Sequence, residues 1–588
     1  MYLCPLARGT MTLMEIREKL LALIAAVLHR CGAGENTFSL EHPADVSRGD
    51  YATNAALIAA GQLGKSPREI ATQLAVALED RKPVEIERIE VAGHGFINFF
   101  LSQQFFASSV TRVLEAGERF GRNETLVGKK VMVEYTDPNP FKVFHIGHLM
   151  TNVIGESIAR VFEFSGAEVK RANYQGDVGL HVAKAIWGMQ SKAGECPEES
   201  APLSERTAYL GVAYVLGAAA YEEDADAKHE IQHLNRKIYD RSDTEINRLY
   251  DAGRQWSLDH FEELYAKLGT KFDYYFFESE VAGPGKQLVE EYKARGVFEE
   301  SDGATIFRGE REGLHTRVFL TRDGLPTYEA KELALAEMKY EKYPYGQSVI
   351  VTANEITEYF RVLLAAMAKI FPDLASRTHH ITHGMLRLAT GKMSSRTGTV
   401  ITGESLIEDS IALAREKMRV SDVLAGEERE AVAEAVGVGA LKYAILRQNR
   451  SRDIIYDAEK SFSLEGDSGP YLQYAYVRAC SVMEKARQAS IEYNNPLSTF
   501  HFPPSPLDRL LYQFPEVVSH ALEEYEPHHV TTYLTELAAS FNSFYASHTI
   551  IDPDNPELSS YRLSLTAAVA QVLKNGLSLL GIRAPEWM

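Results

Sequence analysis

From residue 15 onward the apolar positions recur at helical spacing: Ile16, Leu20, Leu23, Ile24, Val27 and Leu28 share one face. Glycines and polar residues break this pattern around Gly32–Glu35, and helical segments follow through Ala55–Gly61 and Arg68–Leu78. Val84–Val91 alternates apolar and charged residues, as a half-buried strand does, and Gly93-His94-Gly95 turns the chain into a second strand, Phe96–Leu101. Residues 1–120 therefore read as a small α+β domain. Met1–Thr10 carries no periodicity, which leaves Met11 and Met14 as alternative starts.

Past residue 120 the pattern changes. Val131–Tyr135 is a short apolar strand followed by a loop with Pro138, Asn139 and Pro140. A helix is expected from about His148 to Phe164, with Met150, Ile154, Ile158 and Val161 on one face, and Glu168–Tyr174 reads as the next strand. Strand, loop, helix and strand with a right-handed crossover make one half of a doubly wound nucleotide-binding sheet. Residues from about 190 to 300 are rich in charged helical stretches such as Lys228–Arg254 and read as an insertion, after which Val349–Val351 resumes the strand pattern. The last 130 or so residues are mostly helical: Tyr471–Gln488 and Arg562–Leu580 are long amphipathic runs that suit a helix bundle.

The chain has 588 residues, 45% hydrophobic and 24% charged, which excludes wholesale disorder and collagen-like repeats. Leu20–Leu28 is too short to cross a bilayer, and no secretory signal is legible. A net charge of −19 argues against indiscriminate binding of nucleic acid while leaving room for a local basic groove. The four cysteines, Cys4, Cys31, Cys196 and Cys480, form no Cys-x-x-Cys pair, so a zinc ribbon is not expected and the thiols read as reduced and cytoplasmic.

Candidate chemistry lies in two places. His145-Ile146-Gly147-His148 falls where the loop after the first apolar strand of this region enters its helix. A helix N-terminus there offers unpaired N–H groups and a positive dipole to phosphate. Gly147 lets adenosine approach the backbone, and the two imidazoles can hydrogen-bond phosphate oxygens. Taken alone, this tetrapeptide also fits a metal pair or a packed loop. Some 250 residues later, Gly391-Lys392-Met393-Ser394-Ser395-Arg396-Thr397-Gly398 is a glycine-flanked loop with two cations and several hydroxyls, suited to closing over pyrophosphate. Alone it reads as a solvated basic turn. In this order, on an α/β pattern with an insertion between, the two are far more specific together.

On these residues the sequence resembles a class I aminoacyl-tRNA synthetase, with its HIGH and KMSKS signatures. Pro138-Asn139-Pro140-Phe141-Lys142-Val143-Phe144, Gly176-Asp177-Val178-Gly179, Gly49-Asp50-Tyr51-Ala52-Thr53-Asn54, Gly95-Phe96-Ile97-Asn98, Tyr471-Leu472-Gln473-Tyr474-Ala475 and Val572-Leu573-Lys574-Asn575-Gly576 narrow the resemblance to the arginyl-tRNA synthetase family. The resemblance implies a multidomain α/β protein with three parts. These are an N-terminal additional domain that binds tRNA (1–120), a Rossmann-type parallel-sheet catalytic domain with a helical insertion (121–460), and a helix-bundle anticodon-binding domain (461–588). It implies ligation of L-arginine to tRNA(Arg) through arginyl-adenylate, with ATP as substrate, Mg²⁺ accompanying ATP, and no tightly bound metal. A cytoplasmic monomer without membrane attachment is expected.

The resemblance further assigns roles. Lys142, His145, His148 and Lys392 would be catalytic. His145, Gly147, His148, Lys392, Met393 and Ser394 would hold the nucleotide. Tyr328 and Glu332, in Pro326–Glu332, match a Tyr-x-x-x-Asp element and would read the guanidinium; Glu134 and Asn139 would hold the α-amino and carboxylate ends. Two departures stand out. Glu332 is one methylene longer than the family's aspartate, and Ser395 replaces a signature lysine, for which Lys142 would substitute with Arg396 nearby. Asn354-Glu355 is a further polar pair near the expected substrate site. Residues 461–588 carry seven Lys and Arg against fourteen Asp and Glu, so anticodon recognition would rest on stacking, with Tyr471, Tyr474 and Trp587 as candidate platforms. A silent tRNA-binding paralogue and a class I synthetase of other specificity remain as alternatives.

Overall fold

A computed structural model describes residues 14–34, 37–389, 402–418, 426–491 and 502–588. The chain divides into two compact units. The first joins residues up to Arg122 with Tyr474–His520 and Tyr533–Gly576; the second comprises Asn123–Gln473, Ala521–Thr532 and Leu577–Met588.

The first unit holds a four-stranded antiparallel sheet: β1 (Leu40–Glu41), β2 (Tyr51–Thr53), β3 (Ile86–Ala92) and β4 (Phe96–Leu101), in the order β1-β2-β4-β3. The helix Pro67–Glu79 starts on Ser66, whose hydroxyl accepts from the Glu69 N–H, with proline in the first turn. Within this unit, residues of the quoted motifs bond to segments distant in sequence. One carboxylate oxygen of Asp50 accepts the Leu101 N–H at 2.8 Å, and the other pairs with Arg509. Glu516 accepts from the Tyr51 hydroxyl at 2.5 Å and lies 3.1 Å from His42 Nε2. Asn575 donates to the Gly117 and Phe120 carbonyls, both at 3.0 Å. Gly49 has φ 95°, and a Cβ there would sit 2.7 Å from the Phe99 carbonyl oxygen, so both backbone and packing call for glycine. These motif residues therefore carry tertiary structure.

The second unit is built on a five-stranded parallel sheet: β5 (Lys130–Glu134), β6 (Glu168–Gln175) and β7 (Tyr274–Phe277) on one side, and two later strands on the other. Between them in sequence, β8 (Glu299–Ser301), β9 (Ala304–Phe307) and β10 (Arg317–Leu320) form a small antiparallel sheet. Then come β11 (Gln347–Ala353) and β12 (Thr378–His383), which complete the parallel order β12-β11-β5-β6-β7. β13 (Leu386–Leu388) pairs with β14 (Ile454–Tyr456). β5 lies at the centre, which is why Val131, Met132 and Val133 are all buried and the strand does not alternate. The insertion consists of the helices Leu203–Glu223, Ala225–Asp240 and Thr244–Leu268. The run read as one helical stretch, Lys228–Arg254, is interrupted: Arg241 takes φ 51°, and Asp243 caps the next helix by accepting from the Glu245 and Ile246 N–H groups. The stretch assigned to the insertion also contains β7, an aromatic strand that belongs to the parallel sheet. Tyr471 is buried, so its ring is core packing rather than an open stacking platform; Tyr474 is half-buried with Arg478 stacked 4.6 Å away, and Trp587 is exposed.

Where β5 ends, Glu134 is ion-paired with Lys339 of the helix Tyr328–Lys342 at 2.8 Å, and both side chains are 2% exposed. Burial opposes the Lys339 charge, but the Glu134 carboxylate outweighs it and raises the lysine's pKa. Lys339→Met is expected to strand a buried carboxylate and cost about 3–5 kcal/mol in chemical denaturation. An unchanged transition midpoint and slope would contradict this. Among the described residues no helix is long and apolar enough to cross a membrane.

Candidate active site

The sheet reverses its order of assembly between β5 and β11, and a cavity of about 500 Å³ opens at the carboxyl ends of these neighbouring strands. Glu134, His145, Gly147, His148, Tyr328 and Glu332, all singled out from sequence, line it. So does Glu355, while Asn139 and Lys142 are not among the lining residues. Lys392, Met393 and Ser394, with Ser395 and Arg396, lie outside the described residues.

One end of the cavity is shaped by an unusual cap. His145 is the N-cap of the helix Ile146–Phe164, and the two histidines cap each other. His145 Nδ1 accepts from the His148 N–H at 3.4 Å, and His148 Nδ1 accepts from the His145 N–H at 3.3 Å. The rings stack with centroids 3.4 Å apart. Gly147 is needed for this, since a Cβ there would come within 2.9 Å of His145 Cε1. Because each Nδ1 is an acceptor, the proton of each neutral ring sits on Nε2, so both rings present an N–H donor. Burial, then the charge of Lys142, holds His145 below the usual imidazole range. Burial, His145 and Lys142 hold His148 well below it. Nitrogen-15 correlation spectra of the imidazoles are expected to show both as neutral Nε2–H tautomers at pH 8, with His148 still neutral at pH 6.5. A neutral Nδ1–H tautomer at either would contradict the cap.

The loop between β5 and this helix is wound tightly. Thr136, Asp137 and Phe141 all have positive φ (80°, 47° and 67°), a costly conformation for residues other than glycine. It is fastened from several sides. The Thr136 hydroxyl accepts from Asn152 at 3.0 Å, Asp137 accepts from the Tyr174 N–H at 2.8 Å, and the Phe141 N–H donates to Ser257 at 2.9 Å. The Phe141 ring lies over Gly253 of the insertion, where a Cβ would be 2.2 Å from it. Asn139 packs its side-chain oxygen against Gly176, which has no room for a Cβ. Asp177, fully buried, accepts from Tyr250, Arg254 and both the N–H and hydroxyl of Ser279, so the Gly-Asp-Val-Gly turn ties β6 to the insertion and to the helix Glu278–Ala294. Lys142 is half-buried, its Nζ 6.0 Å from the Tyr214 ring centroid. Burial lowers its pKa and Lys184 adds to this, against the opposing charge of Glu278.

The other end of the cavity is acidic. Burial and the charge of Glu134 push the Glu332 carboxyl up to about 8. Burial, Glu134 and Glu332 push Asp137 well above the carboxylate range. Lys339 answers Glu134, and Arg317, the one Lys or Arg among the lining residues, is paired with Glu329 at 3.1 Å. The remaining carboxylates are in excess, an arrangement suited to a cationic ligand with several N–H donors. Asp137, Tyr174, Arg317 and Tyr359 also line the cavity and were not singled out from sequence. Asp137 stood beside the quoted Pro138-Asn139 run and could have been noticed there; the other three carry no local signal.

The chain is similar to known proteins over nearly its whole length. A family model described as tRNA synthetases class I (R), catalytic domain, matches residues 109–458. The arginyl tRNA synthetase N terminal domain matches 18–101, and the DALR anticodon binding domain matches 472–588. Arginine–tRNA ligase of Clostridium perfringens is 31% identical over 93% of this chain and 96% of its own. That of Halothermothrix orenii is 30% identical over 98% and 100%. The solved structure of Thermus thermophilus arginyl-tRNA synthetase superposes with a TM-score of 0.77 at 26% identity, covering 97% of this chain and 100% of that one. With its catalytic, N-terminal and anticodon-binding matches in this order, the chain belongs to the arginyl-tRNA synthetase family of class I aminoacyl-tRNA synthetases.

Proposed function

We propose that the chain ligates L-arginine to tRNA(Arg), using ATP, as a cytoplasmic monomer. The observation that carries this is the polarity of one cavity: surplus carboxylates at one end, and at the other a helix N-terminus with two neutral imidazole donors. The first end suits a guanidinium and the second a triphosphate. The arginine carboxylate oxygen attacks the α-phosphorus of ATP, forming arginyl-adenylate as the bond to pyrophosphate breaks. The 2′-hydroxyl of the terminal adenosine of tRNA then attacks the arginyl carbonyl, its proton leaves, and AMP departs.

No covalent protein nucleophile takes part, so the protein supplies positioning and charge stabilisation. Tyr328 and Glu332 read the guanidinium. His145 and His148 donate from Nε2 to phosphate oxygens, Gly147 admits the nucleotide, and Lys142, with Lys392, Met393 and Ser394 of the second signature, receives the pyrophosphate charge. Asn139 orients the amino acid's polar end, and Mg²⁺ enters with ATP. Residues 1–120 and 461–588 engage the tRNA, and residues 121–460 carry the catalysis.

Arginine-dependent ATP–pyrophosphate exchange, run against a panel of amino acids with and without total tRNA, tests this. Exchange with arginine alone, dependent on tRNA, is expected. Exchange with another amino acid would overturn the specificity, and tRNA binding without exchange would point to a silent paralogue.

A further inference from the structure

We propose that the first turn of the helix Gly403–Lys417 positions the histidine pair, with Gly403 and Glu404 as positioning residues, a role that rests on the nucleotide reading above. The Gly403 N–H donates to the Phe144 carbonyl at 2.8 Å, on the residue just before His145. Gly403 is buried. A Cβ on it would lie 2.8 Å from the His145 carbonyl oxygen and 2.9 Å from Phe144 Cδ1. The His145 carbonyl has little freedom to give way, because it accepts from the His148 and Leu149 N–H groups as the helix Ile146–Phe164 begins. The Phe144 ring is equally confined: it is 1% exposed, 5.5 Å from the His148 ring and 6.4 Å from that of Phe261. Glycine at 403 is what lets one helix start against the backbone of another.

The turn is itself held in place. Thr402 and Ser405 cap it reciprocally, each hydroxyl oxygen accepting from the other's N–H, at 2.9 and 3.0 Å. A Glu404 carboxylate oxygen lies 3.1 Å from Nε2 of His260, on the insertion helix Thr244–Leu268. That hydrogen bond holds the Glu404 carboxyl below its usual range, so it stays ionised at a helix N-terminus, where the dipole favours it. The next residue of the insertion helix is Phe261, the one that packs on Phe144. Two adjacent insertion residues thus hold the Phe144–His145 segment from two sides, one through its ring and one through the Gly403 turn. A displacement of that segment reaches the imidazoles directly, because His148 Nδ1 accepts from the His145 backbone N–H.

The test compares Gly403→Ala, Glu404→Ala and Glu404→Gln in the full-length enzyme with tRNA. Gly403 does not take a positive φ, and alanine is the better helix former, so the helix itself tolerates the methyl group and any loss comes from the collision. In Gly403→Ala the kcat of arginine-dependent exchange is expected to fall about 10–100-fold, while the arginine KM stays within about threefold. The nitrogen-15 signals of the His145 and His148 rings at pH 8 are expected to move as well. Glu404→Ala is expected to lower kcat about fivefold, and Glu404→Gln, whose amide oxygen still accepts from His260, to recover most of that. Should Gly403→Ala fail to fold, the two Glu404 variants carry the same readouts. Unchanged kcat, a fall in kcat with unmoved imidazole signals, or an arginine KM that rises in step with the fall would overturn the role. Glu404→Gln as slow as Glu404→Ala would overturn the part given to Glu404. Wild-type enzyme without arginine-dependent exchange would overturn the activity instead, and unmoved imidazole signals in Gly403→Ala would then still overturn the positioning.

Discussion

Glu332→Gln raises the arginine KM about 100-fold or more, with a much smaller change in the rate at saturating arginine. A guanidinium presents a fork of N–H donors, and a carboxylate accepts two of them while cancelling the charge. An amide offers one acceptor oxygen, no charge, and an N–H₂ directed at a cation. A hydrogen bond to a charged group is worth about 1.5–3 kcal/mol, and a mismatched buried donor adds to the loss, which leads to about two orders of magnitude. The pH dependence separates this from a general disturbance. With the Glu332 carboxyl pushed up to about 8 by burial and by Glu134, the empty site holds it protonated at pH 7. Arginine binds the ionised form, so the proton must leave on binding. The wild-type arginine KM therefore falls as pH rises from 6 toward 8, by up to about tenfold per unit, and levels above that. In Glu332→Gln the same profile is expected to be clearly shallower, since the Glu332 proton no longer has to leave. Steady-state exchange at fixed tRNA between pH 6 and 9 gives both readouts, and an unchanged arginine dependence would move guanidinium recognition to other residues.

Lys142→Ala lowers pyrophosphate exchange by about 10²–10³-fold and leaves arginine affinity nearly unchanged. The second signature carries Ser395 where a lysine is usual, so one of the positive charges for the departing pyrophosphate must come from another residue. Lys142 follows Asn139 by one tight turn, its N–H bonded to the Asn139 carbonyl at 3.1 Å, and its charge acts on both His145 and His148. It is absent from the cavity lining, which is why arginine affinity should be spared. Lys142→Arg keeps the charge and should recover part of the exchange; near-normal exchange in Lys142→Ala would remove the compensating role.

How much of this was legible beforehand follows from the range of the interactions. The histidine pair was readable because capping is local: its partners are three residues apart, on a helix whose apolar face and preceding strand announce themselves by period. The Glu134–Lys339 pair was not, since its members are 205 positions apart and each looks like an ordinary surface charge until the sheet places β5 at its centre. Asp137 was hidden for a related reason: its place in the cavity lining follows from the tight loop at Thr136 and Asp137, which no local pattern announces. The aromatic strand β7 was masked by the charged helices before it, whose composition dominates any window that spans both. Asp50, Asn575 and Gln473 were picked out as motif residues, and their side chains turn out to bond distant segments: Asp50 to Arg509, Asn575 to the Gly117 and Phe120 carbonyls, and Gln473 to the Ala435 and Arg583 carbonyls.

The sheet order also sets a timetable on the ribosome. β5 emerges early and is flanked on one side by β6, but its other neighbour, β11, follows roughly two hundred residues later. At about 5–20 residues per second that is on the order of 10–40 s during which the strand destined for the centre is an edge. Val131, Met132 and Val133 make it an apolar edge, the kind that recruits a neighbouring nascent chain. Glu134 at its end, still without Lys339, is then a bare negative charge on that edge.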